Sequence, residues 1–68
     1  MNNIGQIIKD RRKELGLIQD TLALLVYVGI NTIVSIERGM NSPSIDTLTK
    51  VTDVLWLDLK IDIKTKIF

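Results

Sequence analysis

The sequence contains no cysteine and no histidine among its 68 residues. Without cysteine, disulfide bonds and thiolate-ligated metal sites are excluded, which is typical of proteins that work in a reducing compartment. Without histidine, imidazole-ligated metal sites and histidine-based acid–base catalysis are excluded as well. Proline and aromatic residues are scarce, with one Pro, one Trp, one Tyr and one Phe. These absences predict a non-enzymatic domain that needs no metal and no cofactor.

Charge of one sign is also in short supply. Nine basic residues oppose eight acidic ones, and the net charge of +1 is too small by itself to indicate a nucleic-acid partner. No apolar run approaches the roughly 20 residues of a membrane-spanning helix, and the polar start Met1-Asn2-Asn3 does not resemble a signal peptide. We therefore expect a cytoplasmic protein without a membrane partner, and its short chain predicts one domain with a modest core.

Apolar residues recur at helical spacing in four stretches, which predict helices over about residues 2–16, 19–26, 30–38 and 44–55. Gly16 is expected to end the first helix in the left-handed conformation, Gly39 to close the third helix, and Ser44 to cap the fourth. The side chains predicted to face inward are those of Ile4, Ile7, Ile8, Leu15, Leu22, Ala23, Leu25, Val26, Ile33, Ile36, Ile45, Leu48, Val51 and Leu55.

The apolar period changes after Leu55. In the segment LDLKIDIKTKI, residues 57–67, leucine and isoleucine alternate with aspartate and lysine. A period of two predicts a β-strand in place of a fifth helix. The sequence thus predicts an all-α domain over residues 1–56 followed by a C-terminal strand over residues 57–68.

The stretch LIQDTLALLVYVGINTIVSIERGMNSPS, residues 17–44, resembles the lambda-repressor-like (Xre-type) helix-turn-helix family, and the likeness extends from residue 4 to about residue 57. The resemblance implies a four-helix fold whose third helix enters the major groove of double-stranded DNA while the second lies across the DNA backbone. The residues that match the family pattern at fixed spacing are Leu17, Gln19, Leu22, Ala23, Val28, Thr32, Ile33, Ile36, Glu37, Arg38, Gly39, Pro43 and Ser44.

Three residues depart from the family pattern around the second helix. Ile18 replaces the usual Ser or Thr cap, at a cost of about 1 kcal/mol if nothing substitutes for it. Tyr27 stands where a turn glycine is usual, and a positive φ there would strain the backbone by about 1–3 kcal/mol. Gly29 takes the place of the usual Ser cap, so it is expected either to relieve the turn or to cap the third helix. Tyr27 and Trp56 are expected to be core or interface aromatics.

The resemblance implies DNA contacts for residues on the second and third helices and the loop that follows. Gln19 would meet a phosphate at the start of the second helix. Asn31 is suited to a bidentate contact with adenine, and a Thr methyl packs against a thymine methyl. The complete set of predicted DNA-binding residues is Gln19, Ile30, Asn31, Thr32, Val34, Ser35, Arg38 and Asn41. A groove-facing surface with this low charge and apolar content is expected to read A·T base pairs better than G·C pairs. The alternative is that the third helix serves only for packing.

Two further sets of charged residues are expected to support this surface. By resemblance, Arg12 and Glu37 form an ion pair that holds the third helix at its angle. Lys9, Arg11 and Lys13 on the first helix are candidates for additional phosphate contacts, or for an ordinary solvated face.

The predicted C-terminal strand finds no partner strand elsewhere in the sequence, and an unpaired apolar strand is a liability that proteins normally cover. Pairing with the same strand of a second copy is the economical solution, with Leu57, Leu59, Ile61 and Ile63 as dimerisation residues. The alternatives are a strand that folds back on its own helices and a disordered tail.

This arrangement is similar to HipB-type antitoxins, which repress their own operon and bind a HipA-type kinase toxin. It predicts a nucleoid-associated homodimeric repressor that is the antitoxin of such a pair. A stand-alone phage-type or restriction-control repressor, and a mainly protein-binding antitoxin with weak DNA contacts, remain alternatives.

Overall fold

The computed structural model describes residues 4–40 and 43–58. The described chain forms four helices, α1 (Ile4–Glu14), α2 (Gln19–Leu25), α3 (Ile30–Arg38) and α4 (Ile45–Val54). The four-helix prediction is confirmed. No strand occurs among the described residues, and the predicted strand beyond residue 58 lies outside them.

The core forms where the apolar stripes of the four helices meet. Its buried side chains are Ile8, Leu22, Ala23, Val26, Ile33, Ile36, Leu48, Val51 and Leu55. The inward prediction is wrong for Ile7, Leu15, Leu25 and Ile45, which are all exposed. Neighbouring residues on a helix point about 100° apart, so Ile7 and Leu25 lie beside the buried faces that Ile8 and Val26 occupy. A core this small covers only the centre of each stripe.

Leu57 also packs against this core, as a half-buried side chain. Its backbone N–H donates to the carbonyl of Thr52 at 2.9 Å, which closes the end of α4. Leu57 and Asp58 have no regular secondary structure. The first of the four proposed dimerisation residues is therefore engaged with the helical domain, whereas Leu59, Ile61 and Ile63 lie outside the described residues.

All four helices end in the same motif, a Schellman cap with one residue in the left-handed conformation. The α2 cap shows the pattern, since Tyr27 N–H donates to the Leu24 carbonyl at 3.3 Å and Val28 N–H to the Ala23 carbonyl at 3.0 Å. Gly16 occupies the left-handed position after α1, as predicted, with φ of 72°. Gly39 closes α3, as predicted, and it too is left-handed, with φ of 70°. Tyr27 and Trp56 occupy it after α2 and α4, with φ of 58° and 59°.

The two aromatic residues at these caps are not in the core. Tyr27 is 90% exposed and Trp56 is 83% exposed, so the core interpretation of both is wrong, while an interface role stays a prediction. Gly29 does not relieve the turn, because its φ is −72° and it serves as the N-cap of α3. The positive φ thus falls on Tyr27, and the elbow between α2 and α3 carries the strain that the departure from glycine predicts.

We expect Tyr27→Gly to raise the free energy of unfolding by about 1 kcal/mol. The left-handed conformation costs an L-residue about 1–2 kcal/mol, and part of that gain is offset by the larger backbone entropy of glycine in the unfolded chain. The exposed Tyr27 side chain contributes little burial that would be lost. Urea unfolding followed by circular dichroism measures the change.

Gly16→Ala is the matched control, since it places a Cβ on a left-handed residue with no described atom within 4 Å. It should lower the free energy of unfolding by about 1 kcal/mol. If Tyr27→Gly left stability unchanged or lowered it, while Gly16→Ala gave the expected loss, Tyr27 would not strain the elbow between α2 and α3.

The helix starts differ in how well they are capped. Ser44 caps α4 as predicted, because its hydroxyl accepts a hydrogen bond from Thr47 N–H at 3.2 Å. Ile18 precedes α2 in an extended conformation and offers no side-chain acceptor, as its substitution predicts. The proposed caps Asn2 and Asn3 lie outside the described residues.

Among the described residues, no single helix is both long and apolar enough to cross a membrane. Taken together, α2 and α3 have the length and the apolar composition of a membrane-spanning helix, but the two helices bend by 113° at the break between them.

Candidate nucleic-acid interface

The bend of 113° between α2 and α3 is built on residues that allow the two helices to approach closely. Ala23 is buried on α2 and has only a methyl group to place between the helices. Leu22 and Ile33 are completely buried, and Val28 in the elbow packs against the same core. The apolar side of α3 is therefore fixed, and its opposite side is presented to solvent.

A buried ion pair holds α3 from behind. Arg12 Nε donates to Glu37 Oε2 at 2.7 Å, and Arg12 Nη2 donates to Glu37 Oε1 at 3.0 Å. The third guanidinium contact runs from Nη1 to the carbonyl of Leu17 at 2.8 Å. The resemblance implied an ion pair between these two residues, and the structure shows that it is two-pronged. Through it and the Leu17 contact, Arg12 ties α1 to α3 and to the turn before α2.

Both members of the pair are shielded from water. The side chains of Arg12 and Glu37 are 8% and 3% exposed. The hydrogen bond with Glu37 raises the pKa of the Arg12 guanidinium, against the opposing effect of burial. Arg12 therefore stays charged, and its partner must supply the compensating charge.

Gln19 is a third member of this network, which the sequence alone did not indicate. Its Nε2 donates to Glu37 Oε1 at 3.1 Å, and the side chain is half-buried at the start of α2. A glutamine amide nitrogen carries two donors, so this bond leaves one donor for a phosphate. Within the described residues every buried side-chain nitrogen and oxygen has a hydrogen-bond partner.

Gly5 is the other residue that the sequence analysis missed. It lies where α1 crosses the C-terminal end of α3, and a Cβ added there would stand 2.9 Å from the Glu37 carbonyl oxygen and closer still to that of Ile36. A glycine inside an apolar helical pattern was the available signal, because such a residue often marks close backbone packing. Gly5 thus sets the distance between α1 and the end of α3 that holds Glu37.

The solvent-facing side of α3 carries a polar stripe. Asn31 and Arg38 are exposed, and half-buried Ser35 lies between them at a spacing of four and three residues, which places all three on one face. Exposed Ile30 and half-buried Val34 flank the stripe. Of the predicted DNA-binding residues on α3, all therefore reach the surface at least in part.

Two shallow hollows border this stripe. Thr32, which is half-buried, lines one of them with Pro43, Asn31 and Ser35. Ile30 lines the other with side chains of α2 and the elbow, namely Asp20, Ala23, Leu24 and Val28. Ile30 is 41% exposed, so its side chain is divided between the α2 surface and solvent. Asn41, the last predicted DNA contact, lies outside the described residues.

The basic residues of α1 and α3 differ in how freely they can bind a phosphate. Arg38 and Lys13 are exposed. Arg11 Nε donates to the Leu55 carbonyl at 2.8 Å, and its Nη1 pairs with Glu14 at 3.2 Å. The guanidinium of Arg11 thus fastens α1 to the end of α4, and its phosphate contact stays a prediction.

The described residues hold no cluster of three or more acidic, cysteine or histidine side chains that would suit a metal ion. The surface chemistry is that of a binding helix, with amide, hydroxyl, guanidinium and aliphatic groups on one face. Such groups recognise base edges and phosphates without any covalent step.

Comparison with known proteins agrees with this geometry. A helix-turn-helix family model matches residues 8–59. An "Uncharacterized HTH-type transcriptional regulator" of Methanothermobacter thermautotrophicus is 49% identical over 39 residues, 57% of this chain and 56% of that protein. The "ImmF control region 10 kDa protein" of Bacillus phage phi105 is 34% identical over 58 residues, 85% of this chain and 64% of that protein. The chain thus spans less than two thirds of the length of either relative.

The matched region contains all of α2, the elbow and α3, together with the buried pair that holds them. The chain belongs to the lambda-repressor-like (Xre-type) helix-turn-helix family of DNA-binding regulators.

Proposed function

We propose that the protein is a sequence-specific transcriptional repressor that binds a double-stranded operator as a homodimer. The observation that carries this proposal is the polar stripe of Asn31, Ser35 and Arg38 on the outer face of α3. The buried Arg12–Glu37 pair holds the opposite side of that helix. A reading helix needs both features, because base contacts require a fixed orientation and accessible side chains.

The chemistry of this face favours A·T base pairs. The Asn31 amide can donate to N7 and accept from N6 of adenine in a bidentate contact, with its oxygen and nitrogen placed accordingly. The methyl groups of Ile30, Thr32 and Val34 are suited to the C5-methyl group of thymine. Gln19, Arg38 and Asn41 are proposed as backbone contacts that position the helix without reading sequence.

A dimer suits this arrangement, because one short helix with few basic neighbours supplies little affinity. Two copies related by a two-fold axis would read a pseudo-palindromic operator, with the half-site spacing set by the dimer. The proposed dimerisation residues are Leu57, Leu59, Ile61 and Ile63, on the alternating pattern of the C-terminal segment. As a repressor, the protein would act in the cytoplasm, at the nucleoid.

Substitution of Asn31 tests the reading role of α3. We expect Asn31→Ala to weaken binding to the specific site by about 1–3 kcal/mol per half-site and to leave non-specific binding nearly unchanged. Gln19→Ala should weaken binding to all sequences alike, because a phosphate contact carries no base information. The specific site is first selected from a random duplex library with the unmodified protein. Competition between this site and scrambled DNA at one salt concentration then gives the specific and the non-specific affinity of each variant.

Thr49→Ala provides the control, since Thr49 is an exposed residue of α4 and is not among the predicted DNA-binding residues. It should change neither affinity. Equal losses on selected and scrambled DNA for Asn31→Ala, or no loss on either, would show that α3 does not read bases through this residue. Failure of the unmodified protein to enrich any DNA sequence would refute the proposed function itself.

Two biological contexts fit such a repressor. The similarity to a phage control-region protein, over 85% of this chain, favours a stand-alone phage-type repressor. The alternating C-terminal segment instead favours a HipB-type antitoxin that also binds a HipA-like kinase toxin. A gel-shift assay with the DNA upstream of its own gene, with and without the neighbouring gene's product, separates them. A kinase-like neighbouring product that joins the protein–DNA complex and shifts it further supports the antitoxin, whereas a complex that the neighbouring product does not change supports the phage-type repressor.

A further inference from the structure

The hollow that borders the polar stripe of α3 on the side of Thr32 combines apolar and polar side chains. It is lined by Asn31, Thr32, Ser35, Ile36 and Pro43. Asn31 is exposed, Ile36 is buried and the other three side chains are half-buried. The Pro43 ring, the Thr32 methyl group and Ile36 thus form an apolar surface next to Asn31, whose amide is proposed to read adenine. We refer to this feature as the Thr32 hollow.

The groups on DNA that match this apolar surface are the C5-methyl groups of pyrimidines. In the major groove, base edges present mainly hydrogen-bond donors and acceptors, and thymine adds a C5-methyl group, against which a threonine methyl can pack. Contact between two methyl groups removes apolar surface of both partners from water, which is favourable. The Thr32 hollow is therefore suited to a methylated pyrimidine beside the base that Asn31 contacts.

The polar groups of the Thr32 hollow do not distinguish thymine from a cytosine that carries the same methyl group. Thymine presents an acceptor beside its methyl group, and cytosine presents an amino donor at the corresponding place. The hydroxyl groups of Thr32 and Ser35 can each donate or accept, and the amide of Asn31 contains both a donor and an acceptor. Among the described residues that line the hollow, none carries a charge that would favour one exocyclic group.

We propose that the Thr32 hollow seats the C5-methyl group of a pyrimidine and accepts 5-methylcytosine in place of thymine. The inference rests on the proposed sequence-specific DNA binding and adds a ligand to it, namely duplex DNA methylated at C5 of cytosine. Methylation of a cytosine that faces the hollow would strengthen binding to the operator. The methylation state of the operator would thereby regulate how strongly the protein binds.

Base analogues in the selected operator test the proposal. Each pyrimidine of the half-site is replaced in turn by thymine, uracil, 5-methylcytosine and cytosine, with the matching purine opposite. Thymine is compared with uracil and 5-methylcytosine with cytosine, so each ratio of affinities isolates one methyl group within the same base pair. At one position both ratios should reach about fourfold per half-site, as expected for burial of one methyl-sized group. Fluorescence anisotropy at one salt concentration measures them.

Thr32→Ser tests whether the methyl group is read in this hollow. The substitution removes a methyl group from the protein and keeps the hydroxyl group, so it should lower both ratios and leave binding to the uracil and cytosine duplexes nearly unchanged. Thr49→Ser is the matched control, because Thr49 is exposed on α4 and does not line the hollow. It should leave both ratios at about fourfold. Ratios that Thr32→Ser does not alter would overturn the assignment.

Two further results would overturn the proposal. Equal affinities for thymine and uracil at every pyrimidine would show that no methyl group is read. A preference for thymine over uracil, without one for 5-methylcytosine over cytosine at the same position, would show that the site reads the exocyclic group of thymine as well. Either result, obtained with an operator that the protein had selected, would refute this inference alone. Failure to enrich any DNA sequence would refute the proposed function and this inference with it.

Discussion

Replacing Glu37 by glutamine is expected to lower the free energy of unfolding by about 3–5 kcal/mol. The substitution removes the carboxylate that receives two hydrogen bonds from Arg12 and one from Gln19. The guanidinium of Arg12 would then remain charged, with its side chain 8% exposed and without a compensating charge. Small domains have a free energy of unfolding of only about 5–15 kcal/mol, so this one substitution should remove a large part of the domain's stability. Urea unfolding followed by circular dichroism measures it.

The same substitution at Glu14 supplies the control. Glu14 pairs with Arg11 at 3.2 Å, but its side chain is 66% exposed and the Arg11 side chain is 32% exposed. Exposed pairs contribute about 0–1 kcal/mol because water competes for both charges. Glu14→Gln should therefore change stability by less than about 1 kcal/mol. Similar losses in the free energy of unfolding for Glu14→Gln and Glu37→Gln would show that burial does not make the Arg12–Glu37 pair more costly to break.

A double substitution separates charge imbalance from the loss of the pair itself. Replacing both Arg12 and Glu37 by methionine removes both charges and fills the space with flexible apolar side chains. Buried pairs replaced in this way often lose little stability, since the desolvation cost disappears together with the attraction. We expect the double variant to be more stable than Glu37→Gln but to bind DNA more weakly, because Gln19 loses the carboxylate that orients its amide.

The helices could be predicted because their signals are local. Apolar residues at helical spacing, Gly16 and Gly39 at left-handed ends, and Ser44 as a cap all act within a few residues of the structure that they determine. The two aromatic residues show the limit of that reasoning. Tyr27 and Trp56 look apolar enough for a core, but the Schellman motif fixes the backbone at both positions and turns the side chains outward.

Contacts between distant residues were less accessible to sequence reasoning. The pairing of Arg12 with Glu37, which are 25 residues apart, followed from the family resemblance and not from any spacing. The hydrogen bond from Gln19 to Glu37 and that from Arg11 to the Leu55 carbonyl depend on how the helices cross. Periodicity says which side of a helix is buried, but it does not say which polar groups meet at the edges of the core.

Gly5 illustrates the same limit, and its substitution is expected to be among the most damaging in the chain. Gly5→Ala should lower the free energy of unfolding by about 1–3 kcal/mol, the usual cost of overpacking. Its new Cβ would press on the carbonyl oxygens of Ile36 and Glu37. Those oxygens belong to the backbone of α3, so they cannot rotate away as a side chain would. The loss should appear although alanine is the better helix former by about 1 kcal/mol.

Gly29→Ala is the control that isolates the clash from the general effect of replacing a glycine. Gly29 has a φ of −72°, which any L-residue adopts, and no described atom lies within 4 Å of an added Cβ. Alanine is a poorer N-cap than glycine, so a loss below about 1 kcal/mol is expected there. Because relief of the clash at position 5 requires α1 and the end of α3 to separate, Gly5→Ala should also disturb the Arg12–Glu37 pair. Combined with Glu37→Gln, it should therefore cost less than the sum of the two separate losses. Strict additivity in urea unfolding would show that the close approach at Gly5 and the buried pair act independently.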